Sequence, residues 1–487
     1  MSLAVHARCR RPNEEMMVSI RSLFPTLVSF AFCAILGGAA LPAHASWKAG
    51  FAKVKITPHG SLWMAGFAAR THASQGTLLE LHAKALAIED ESGHRAVLVT
   101  TDLLGLPQNV SENIARRVQQ KYGLSRGQLL LNSSHTHSGP VVGRTLAVAY
   151  EGKQGINAKQ WSAVDIYTRY LEDRIVQVVG AALGKLQPAT LSLGHGEADF
   201  AMNRRVKTAE GYVGGFNPDG PVDHSVPILV VRNQRGKLLG IVFGYACHNT
   251  TIGATFYKFN GDYAGFAQQW LEKRYRGAAA LFVQGCGADA NPHPRGTVEL
   301  ARQHGEELGQ AVAKTMDGAL QPVDGPLKTE FKVFPVQFAG PPTRADMQEQ
   351  LKSDDIYVRK HAEAMLKIID QKGHLPSSYP YSIEVWQFGP SLTMVALAGE
   401  CVVDYDLKLK KELGPDNLWV AGYSNDVFAY IPSSRILQEG GYEGGGAMIY
   451  YGQPGPFAPG IEDTILREVH EAIESLREPA REESKTP

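Results

Sequence analysis

Short apolar runs alternate with longer amphipathic segments along most of the chain. The apolar runs have the length of buried strands, and the segments with apolar residues every three or four positions have the length of helices. The pattern predicts strands at residues 96–100, from 129, and at 190–193, 228–232, 239–246, 279–283, 381–388, 392–397 and 418–421. It predicts helices at residues 111–122, 161–186, 263–275, 298–316, 401–413 and 461–476.

Two pairs of these strands are separated only by turn signals. Asn233-Gln234-Arg235-Gly236 separates one pair and Gly389-Pro390 the other, which predicts two hairpins. Hairpins mixed with strand–helix–strand crossovers are typical of an α/β or α+β domain with mixed β-sheets flanked by helices. No repeat or linker interrupts the pattern, so we expect a single domain over residues 46–476.

The first 45 residues have a different character. Four arginines precede the apolar run 23–41, and Ala43-His44-Ala45 follows it. This order is typical of a secretory signal peptide over residues 1–45, with Met16 or Met17 as alternative starts. A membrane anchor is the alternative, but the run is short for a span and contains Pro25. We therefore expect a secreted or periplasmic protein, with a charged, disordered tail at residues 477–487.

Composition narrows the choice of partners. The 487 residues are 44% apolar and 20% charged, with equal numbers of acidic and basic side chains, as in soluble globular proteins. A balanced charge gives no electrostatic reason to expect nucleic acid as a partner. Removal of the signal peptide would leave Cys247, Cys286 and Cys401, an odd number that excludes a disulfide scaffold. We expect these thiols to be buried and not catalytic, and the sequence predicts no oligomeric state.

The most specific local pattern is the run from Leu129 to Pro140, in which three leucines lead to His135-Thr136-His137 and a Gly-Pro pair. On an extended strand, residues i and i+2 point to the same face. The two imidazoles are therefore predicted to converge on a metal ion at a strand end, since histidine is a common metal ligand. The alternative is simple hydrogen bonding within a turn.

Four other predicted strands also end on polar residues of ligating or catalytic type. These are His248-Asn249, the segment 284–291, Glu400, and the segment 424–426 followed by Tyr430. Active sites in sheet proteins cluster where several strands end together. As a set with His135, these residues predict a metal site at the strand ends.

Several familiar catalytic motifs are missing from the sequence. It contains neither a Gly-x-Ser-x-Gly elbow nor a P-loop. Gly285-x-Gly287-x-x-Ala290 is only faintly similar to a dinucleotide fingerprint, because Pro292 and Pro294 interrupt the helix that such a fingerprint must open. Serine hydrolase and nucleotide-binding functions are therefore disfavoured.

The run His135 to Pro140 reads His-Thr-His-Ser-Gly-Pro, and Tyr442-Glu443-Gly444-Gly445 lies near the end of the chain. Together with residues 50–58, these motifs resemble the catalytic domain of the neutral (non-lysosomal) ceramidases. The resemblance extends from residue 50 to 445, almost the whole mature chain. It implies a catalytic domain over residues 46–476, without the immunoglobulin-like domain that follows in this family.

The resemblance implies a zinc amidase with one Zn²⁺ per chain. The family's zinc ligands correspond, residue by residue, to His135, His248, Glu400 and Tyr430. Three further residues that face the substrate amide in the family, and that we therefore expect to be catalytic, correspond to His137, Arg204 and Tyr442.

One position departs from the family pattern. A Ser-Pro pair of the family reads Asn291-Pro292 here. Asparagine has no attacking group, so we expect a positioning role for Asn291 and an activated water as the nucleophile. The change also leaves the identity of the substrate open.

These observations favour a zinc-dependent amide hydrolase for N-acyl lipids, with ceramide, cleaved to a fatty acid and a sphingoid base, as the first choice. Such a substrate is compatible with peripheral contact to a membrane. One alternative is an amidase or esterase of the same fold that acts on a different small acyl substrate. A second is a non-catalytic envelope protein in which zinc is only structural.

Overall fold

The computed structural model describes residues 47–151 and 155–477. The predicted signal peptide, together with Cys9 and Cys33, lies outside the described residues, and so do residues 478–487 of the predicted tail. Arg477, which we expected to begin that tail, is instead the last residue of a helix. None of the described helices combines the length and the apolar character needed to cross a membrane.

The strands in these ranges are β1 (Trp47–Lys55), β2 (His82–Asp90), β3 (Arg95–Thr101), β4 (Leu129–Ser133), β5 (Gln187–Glu197), β6 (Ala201–Thr208), β7 (Gly211–Asn217), β8 (Ser225–Asn233), β9 (Leu238–Tyr245), β10 (Ala279–Gln284), β11 (Ala290–Pro292), β12 (Gln321–Val323), β13 (Leu327–Gln337), β14 (Ser378–Phe388), β15 (Leu392–Leu397), β16 (Glu400–Cys401), β17 (Leu418–Ala421) and β18 (Tyr430–Ile431). The helices are α1 (Gln108–Tyr122), α2 (Ala147–Tyr150), α3 (Ala158–Leu183), α4 (Asp262–Arg274), α5 (Val298–Met316), α6 (Arg344–Gln350), α7 (Ile356–Lys372), α8 (Val403–Leu413), α9 (Ser434–Glu439), α10 (Met448–Tyr451) and α11 (Ile461–Arg477).

The largest sheet has nine strands in the order β10-β9-β8-β5-β1-β2-β3-β4, with β12 paired to β5. Its central pairs are antiparallel, whereas β3–β4 at one edge and β9–β10 at the other are parallel. Parallel neighbours need a crossover, and α1 and α4 supply it. Both edges therefore end on a strand whose carboxyl end opens into a loop.

A second sheet, β13-β14-β15-β17, packs against the inner face of the first. The side chains of β4 alternate between the two faces of the large sheet. Leu130 lies in the core between the two sheets, with Trp386 and Trp419. Leu129 and Leu131 lie in the core on the other face, beneath α1 and α3. Two further hydrophobic cores pack α4 and α5 against the large sheet, and α8 and α11 against the second sheet. The result is four layers, helix–sheet–sheet–helix.

The predicted fold class, mixed sheets flanked by helices, is confirmed. The helix 298–316 and the strand 418–421 are found at the predicted residues, and both predicted hairpins form. Several boundaries were wrong, among them those of α1, α3 and α8. The helix predicted to begin at Ser111 starts at Gln108, directly after Pro107, and Glu400–Cys401 form a strand so that the next helix begins at Val403.

The sequence pattern did not predict β13, which forms the edge of the second sheet, or α7. Most side chains of β13 are partly buried or exposed, because one side of this edge strand is covered only in part. Its lysines and glutamate therefore obscure the alternation that identifies a strand.

Gly50 on β1 offers a test of how closely the helical layer packs on the large sheet. A Cβ atom at Gly50 would lie 2.3 Å from the backbone oxygen of Ala182 and 2.8 Å from the backbone nitrogen of Leu186. Since backbone cannot yield as a side chain can, Gly50→Ala should cost about 1–3 kcal/mol of stability. Gly60→Ala is the matched control, because no atom lies within 4 Å of its Cβ position. Equal melting temperatures for the two variants would contradict this packing.

Candidate metal centre

Asn132, at the end of β4, joins the ends of three strands. Its Nδ2 donates to the carbonyl oxygen of Gly422, after β17, at 2.8 Å, and its Oδ1 accepts from the backbone N–H of Gln284, at the end of β10, at 2.9 Å. The ends of β4 and β10, the two edge strands of the large sheet, therefore meet the end of β17 of the second sheet at Asn132. The prediction that strand ends converge is confirmed for these elements.

Asn249 connects the two histidine-bearing loops. Its Nδ2 donates to the carbonyl oxygen of Ser134 at 2.6 Å, and its own carbonyl oxygen accepts from the backbone N–H of His137 at 3.2 Å. Its Oδ1 accepts from the N–H of Ala264, at the start of α4, at 3.0 Å. The loops after β4 and β9 are therefore held side by side, and this brings His248 to the other two histidines.

His135 and His137 converge, although not in the predicted way. The strand ends at Ser133, and His135 has φ = 60°, a left-handed conformation that is uncommon outside glycine. The Nε2 atoms of the two rings nevertheless lie 3.1 Å apart. A turn held by its neighbours, rather than an extended strand, directs both rings to one point.

Glu400 and Tyr430 enter the site from two short parallel strands, β16 and β18, on which they are register partners. Glu400 Oε2 lies 3.1 Å from Nε2 of His135 and 3.1 Å from Nε2 of His248. The Tyr430 hydroxyl lies 3.2 Å from the same atom of His248. The four predicted metal ligands are thus brought together in one cluster, with His137 beside it.

Hydrogen bonds on the far side of two rings fix their tautomers. Nδ1 of His135 lies 2.8 Å from the carbonyl oxygen of Leu104, and Nδ1 of His248 lies 2.8 Å from that of Gly287. A carbonyl oxygen can only accept, so each Nδ1 carries the proton and each Nε2 presents a lone pair.

These lone pairs face Glu400 Oε2, a buried oxygen that has no hydrogen-bond donor among the described residues. A cation at its centre would stabilise such a convergence of acceptors. His135, His137 and His248 form a buried group that could hold a metal ion. Nitrogen and carboxylate donors, with two histidines oriented by carbonyl groups, are the usual ligands of a divalent transition metal.

The protonation states also fit a cation. Burial lowers the pKa of His248 to about 4, with a further contribution from Arg204. Burial and repulsion from His135 and His248 lower the pKa of His137 well below its usual value. His137 and His248 are therefore neutral near pH 7, and each can present a ring-nitrogen lone pair to a cation.

Arg204, on β6, lies where the resemblance placed it, beside the cluster. Its Nη2 donates to the Tyr430 hydroxyl at 3.0 Å and its Nε to Glu443 at 2.8 Å. Glu443 also accepts from Arg205 at 2.6 Å. The Arg204 guanidinium is therefore held in a fixed orientation against a predicted metal ligand.

A cleft of about 650 Å³ opens above the cluster. His137, Arg204, Tyr430 and Tyr442 line it, so all three predicted catalytic residues face the same space. Apolar side chains form other parts of its lining: Phe67, Met202, Phe216 and Pro292. Buried His135, His248 and Glu400 lie behind these residues.

Asn291 also lines the cleft. Its Oδ1 accepts from Thr250 Oγ1 at 3.2 Å and lies 3.4 Å from Nη1 of Arg204. The side chain thus connects cleft residues to one another, as a positioning residue would. Its predicted mechanistic role stays a prediction.

The three cysteines of the described chain are buried and unpaired. Burial raises the pKa of the Cys247 thiol well above its usual value. A hydrogen bond with Cys401, followed by burial, raises that of Cys286. Both remain neutral thiols, which agrees with the expectation that they are not nucleophiles.

Sequence reasoning missed Tyr451, on α10. Its hydroxyl donates a short hydrogen bond to Glu400 Oε1, the oxygen that does not face the histidines. Burial, and then the charge of Glu400, raise the pKa of Tyr451 well above its usual value, so it remains a donor. No motif signals this contact.

Comparison with known proteins agrees with these findings. The family model for the N-terminal region of neutral/alkaline non-lysosomal ceramidases matches residues 47–322. Among curated proteins, the neutral ceramidase of Pseudomonas aeruginosa is 27% identical over 290 residues, 56% of this chain and 41% of that protein. Neutral ceramidase A of Dictyostelium discoideum is 26% identical over 271 residues, 52% and 36% of the two chains. The matched regions span less than half the length of these relatives.

Solved structures show the same fold. The crystal structure of neutral ceramidase from Pseudomonas aeruginosa superposes with a TM-score of 0.69 at 19% identity, covering 89% of this chain and 75% of that one. A structure described as ceramidase complexed with C2 gives a TM-score of 0.70 at the same identity and coverage.

The Tyr451 contact predicts a change in metal affinity. Tyr451→Phe removes the donor to Glu400 Oε1 and should weaken metal binding about 10–100-fold, the usual effect of losing an outer-shell partner. Chelator competition measures this. Tyr450→Phe is the matched control, because no hydrogen bond of its hydroxyl is found among the described residues. His135→Ala and His248→Ala should abolish stoichiometric binding, and unchanged affinity in Tyr451→Phe would refute the supporting role.

Proposed function

The chain belongs to the neutral/alkaline non-lysosomal ceramidase family, and we propose that it is a zinc-dependent amidase that hydrolyses ceramide to a fatty acid and a sphingoid base. The observation that carries this proposal is the convergence of His135, His248 and Glu400 behind a cleft lined by His137 and Arg204. Support comes from the relatives, which are named neutral ceramidases, and from a structural neighbour described as complexed with C2.

His135, His248, Glu400 and Tyr430 are the residues that would hold the metal. His135 and His248 each have a carbonyl partner that orients the ring, whereas Nδ1 of His137 has no hydrogen-bond partner among the described residues. This difference supports His135 and His248 as ligands and His137 as the group that transfers protons. Zinc bound at such a site polarises a carbonyl and makes water a good nucleophile near neutral pH.

His137 is suited to move protons at the reacting centre. Its low pKa keeps the ring neutral, so a ring nitrogen can accept a proton from the water that attacks the amide carbonyl. The same nitrogen then returns the proton to the leaving amine as the C–N bond breaks. The products are a carboxylic acid and a free amine, and the imidazole ends in its starting state.

Arg204 and Tyr442 would stabilise the negative charge that develops on the carbonyl oxygen. Burial opposes the charge of Arg204, but Tyr430 and Glu443 together raise its pKa, so it stays a cation. Burial raises the pKa of Tyr442, whose hydroxyl therefore stays a donor. Fixed donors in a partly dry cleft are an effective way to stabilise such charge.

The cleft also bears on the alternatives. A purely structural metal site would be closed, whereas His137, Tyr430 and Tyr442 line a space large enough for a substrate. Phe67, Met202 and Phe216 offer apolar surface to a hydrocarbon chain. An enzyme that acts on an acyl lipid is therefore favoured over a non-catalytic envelope protein.

The proposal includes export of the protein and peripheral contact with a membrane. The pattern of residues 1–45 supports secretion or delivery to the periplasm. A ceramide substrate resides in a lipid surface, so catalysis would involve peripheral contact with it.

The direct test is hydrolysis of a C12 ceramide by the purified protein. We expect release of fatty acid that stops after chelation and returns with stoichiometric Zn²⁺. In ¹⁸O-water under single-turnover conditions, the label should enter the acid directly, with no covalent adduct in the mass spectrum. Absence of hydrolysis by zinc-loaded protein, for ceramide and for other N-acyl amides, would refute the function. An acyl group trapped on any residue would refute the water mechanism.

Substitution of His137 distinguishes its proposed role from that of His135. His137→Ala should lower turnover about 10²–10³-fold, since it removes a group that acts on the reacting amide. It should retain about one zinc per chain, whereas His135→Ala should not. His470→Ala, a substitution on α11, is the control for both measurements. Loss of zinc from His137→Ala would show instead that His137 is a ligand.

A further inference from the structure

The lining of the cleft is more basic than a neutral substrate needs. Among the described residues that line it, the basic side chains are His137, Arg204, His293 and Arg295, and the acidic one is Glu443. Both oxygens of Glu443 accept hydrogen bonds from arginines, one from Arg204 and the other from Arg205. No acid of the lining is therefore left to balance Arg295.

Arg295 differs from the other arginines of this region in having no carboxylate partner. Arg204 pairs with Glu443, and Arg205 pairs with both Glu439 and Glu443. No described carboxylate lies within 4 Å of the Arg295 guanidinium; its polar neighbour is Thr250, whose Oγ1 is 3.5 Å from Nη1. The side chain is exposed and stands at the side of the cleft, available to a ligand.

Two polar side chains connect Arg295 to the reacting end of the cleft. Thr250 Oγ1 donates to Asn291 Oδ1 at 3.2 Å, and Asn291 Oδ1 lies 3.4 Å from Nη1 of Arg204. The two guanidiniums therefore stand along one wall, separated by Asn291 and Thr250. They repel: burial, and then the charge of Arg204, lower the pKa of Arg295.

An anion bound at Arg295 would relieve this repulsion. A guanidinium presents a planar fork that matches a carboxylate and forms charge-assisted hydrogen bonds with it. Ceramide carries no charge and would form no ion pair with the Arg295 guanidinium. The acyl part of an N-acyl lipid is a hydrocarbon, so an anionic group near the amide belongs to the amine part.

We propose that Arg295 is a specificity-determining residue that binds a carboxylate on the amine part of the substrate, so that the enzyme also hydrolyses N-acyl amino acids. The inference rests on the proposed amidase function of the same site. The reaction is the same amide hydrolysis, in which water is consumed and a fatty acid and an amino acid are released.

The test compares two amides that differ in one group. N-Dodecanoylglycine and N-dodecanoylethanolamine share the acyl chain and the amide, but only the first carries a carboxylate. We expect kcat/KM of the wild type to be higher for the glycine amide. Arg295→Gln should reduce the glycine-to-ethanolamine ratio about tenfold, mainly through KM, since a hydrogen bond to a charged group is worth about that much. Arg295→Lys should recover part of the ratio.

Arg235→Gln, in the exposed turn between β8 and β9, is the matched control and should leave both substrates unaffected. An unchanged ratio in Arg295→Gln would overturn the proposal. So would a wild type that cleaves ceramide but not the glycine amide, and that result would leave the proposed function standing.

A binding measurement separates the two proposals further. Calorimetry with the slow His137→Ala variant should show tighter binding of the glycine amide than of the ethanolamine amide, and Arg295→Gln in that background should remove the difference. If no amide is hydrolysed but this difference is found, the amidase function fails and the anion site stands. If Arg295→Gln weakens inhibition by dodecanoate as much as it weakens binding of the glycine amide, Arg295 binds the acyl product, and the proposal is wrong.

Discussion

The rest of the structure depends on the convergence of acceptors around Glu400 Oε2. Two carbonyl groups hold the Nδ1 protons of His135 and His248, so two lone pairs point at a carboxylate oxygen 3.1 Å away in a buried site. Buried acceptors without a donor or a cation are costly. The surrounding layers must therefore hold these groups against their mutual repulsion, and a bound cation would convert this repulsion into attraction.

A polar core beneath the cluster provides that support. Asn132, Asn249 and Gln284 are all fully buried. The amides of Asn249 and Gln284 donate to the loops that carry the histidines, at Ser134 and Cys247, and the amide of Asn132 donates to Gly422 after β17. Because these amides connect the two sheets to the same loops, a small shift of one sheet against the other would break several bonds together. Buried polar networks of this kind are favourable only when every member is satisfied, which makes the position of the ligands specific.

The limits of sequence reasoning follow from the same facts. The helix α5 and the strand β17 were predicted to the residue, because their apolar pattern is decided by local burial. His135 and His137 were correctly paired for the wrong reason: φ = 60° at His135 depends on contacts with a loop more than 100 residues away, such as that made by Asn249. Tyr451 could not be predicted, since its contact with Glu400 spans 51 residues and lacks a local signal. The family resemblance, rather than periodicity, predicted a ligand role for Tyr430.

The cleft is built from two parts of the fold. The candidate metal ligands come from the loops after β4 and β9 of the nine-stranded sheet and from the short pair β16–β18. Much of the wall above them comes from a small separate sheet, β11-β6-β7, on which Asn291 and Met202 are register partners and Phe216 is half exposed. This sheet also contacts the candidate ligands directly: the backbone N–H of His248 donates to the carbonyl oxygen of Ala290 at 3.0 Å, and Arg204 donates to the Tyr430 hydroxyl at 3.0 Å. Asn291 follows Ala290 on the same strand. The wall of the cleft and the candidate metal centre are therefore coupled, and a substitution at Asn291 acts close to both.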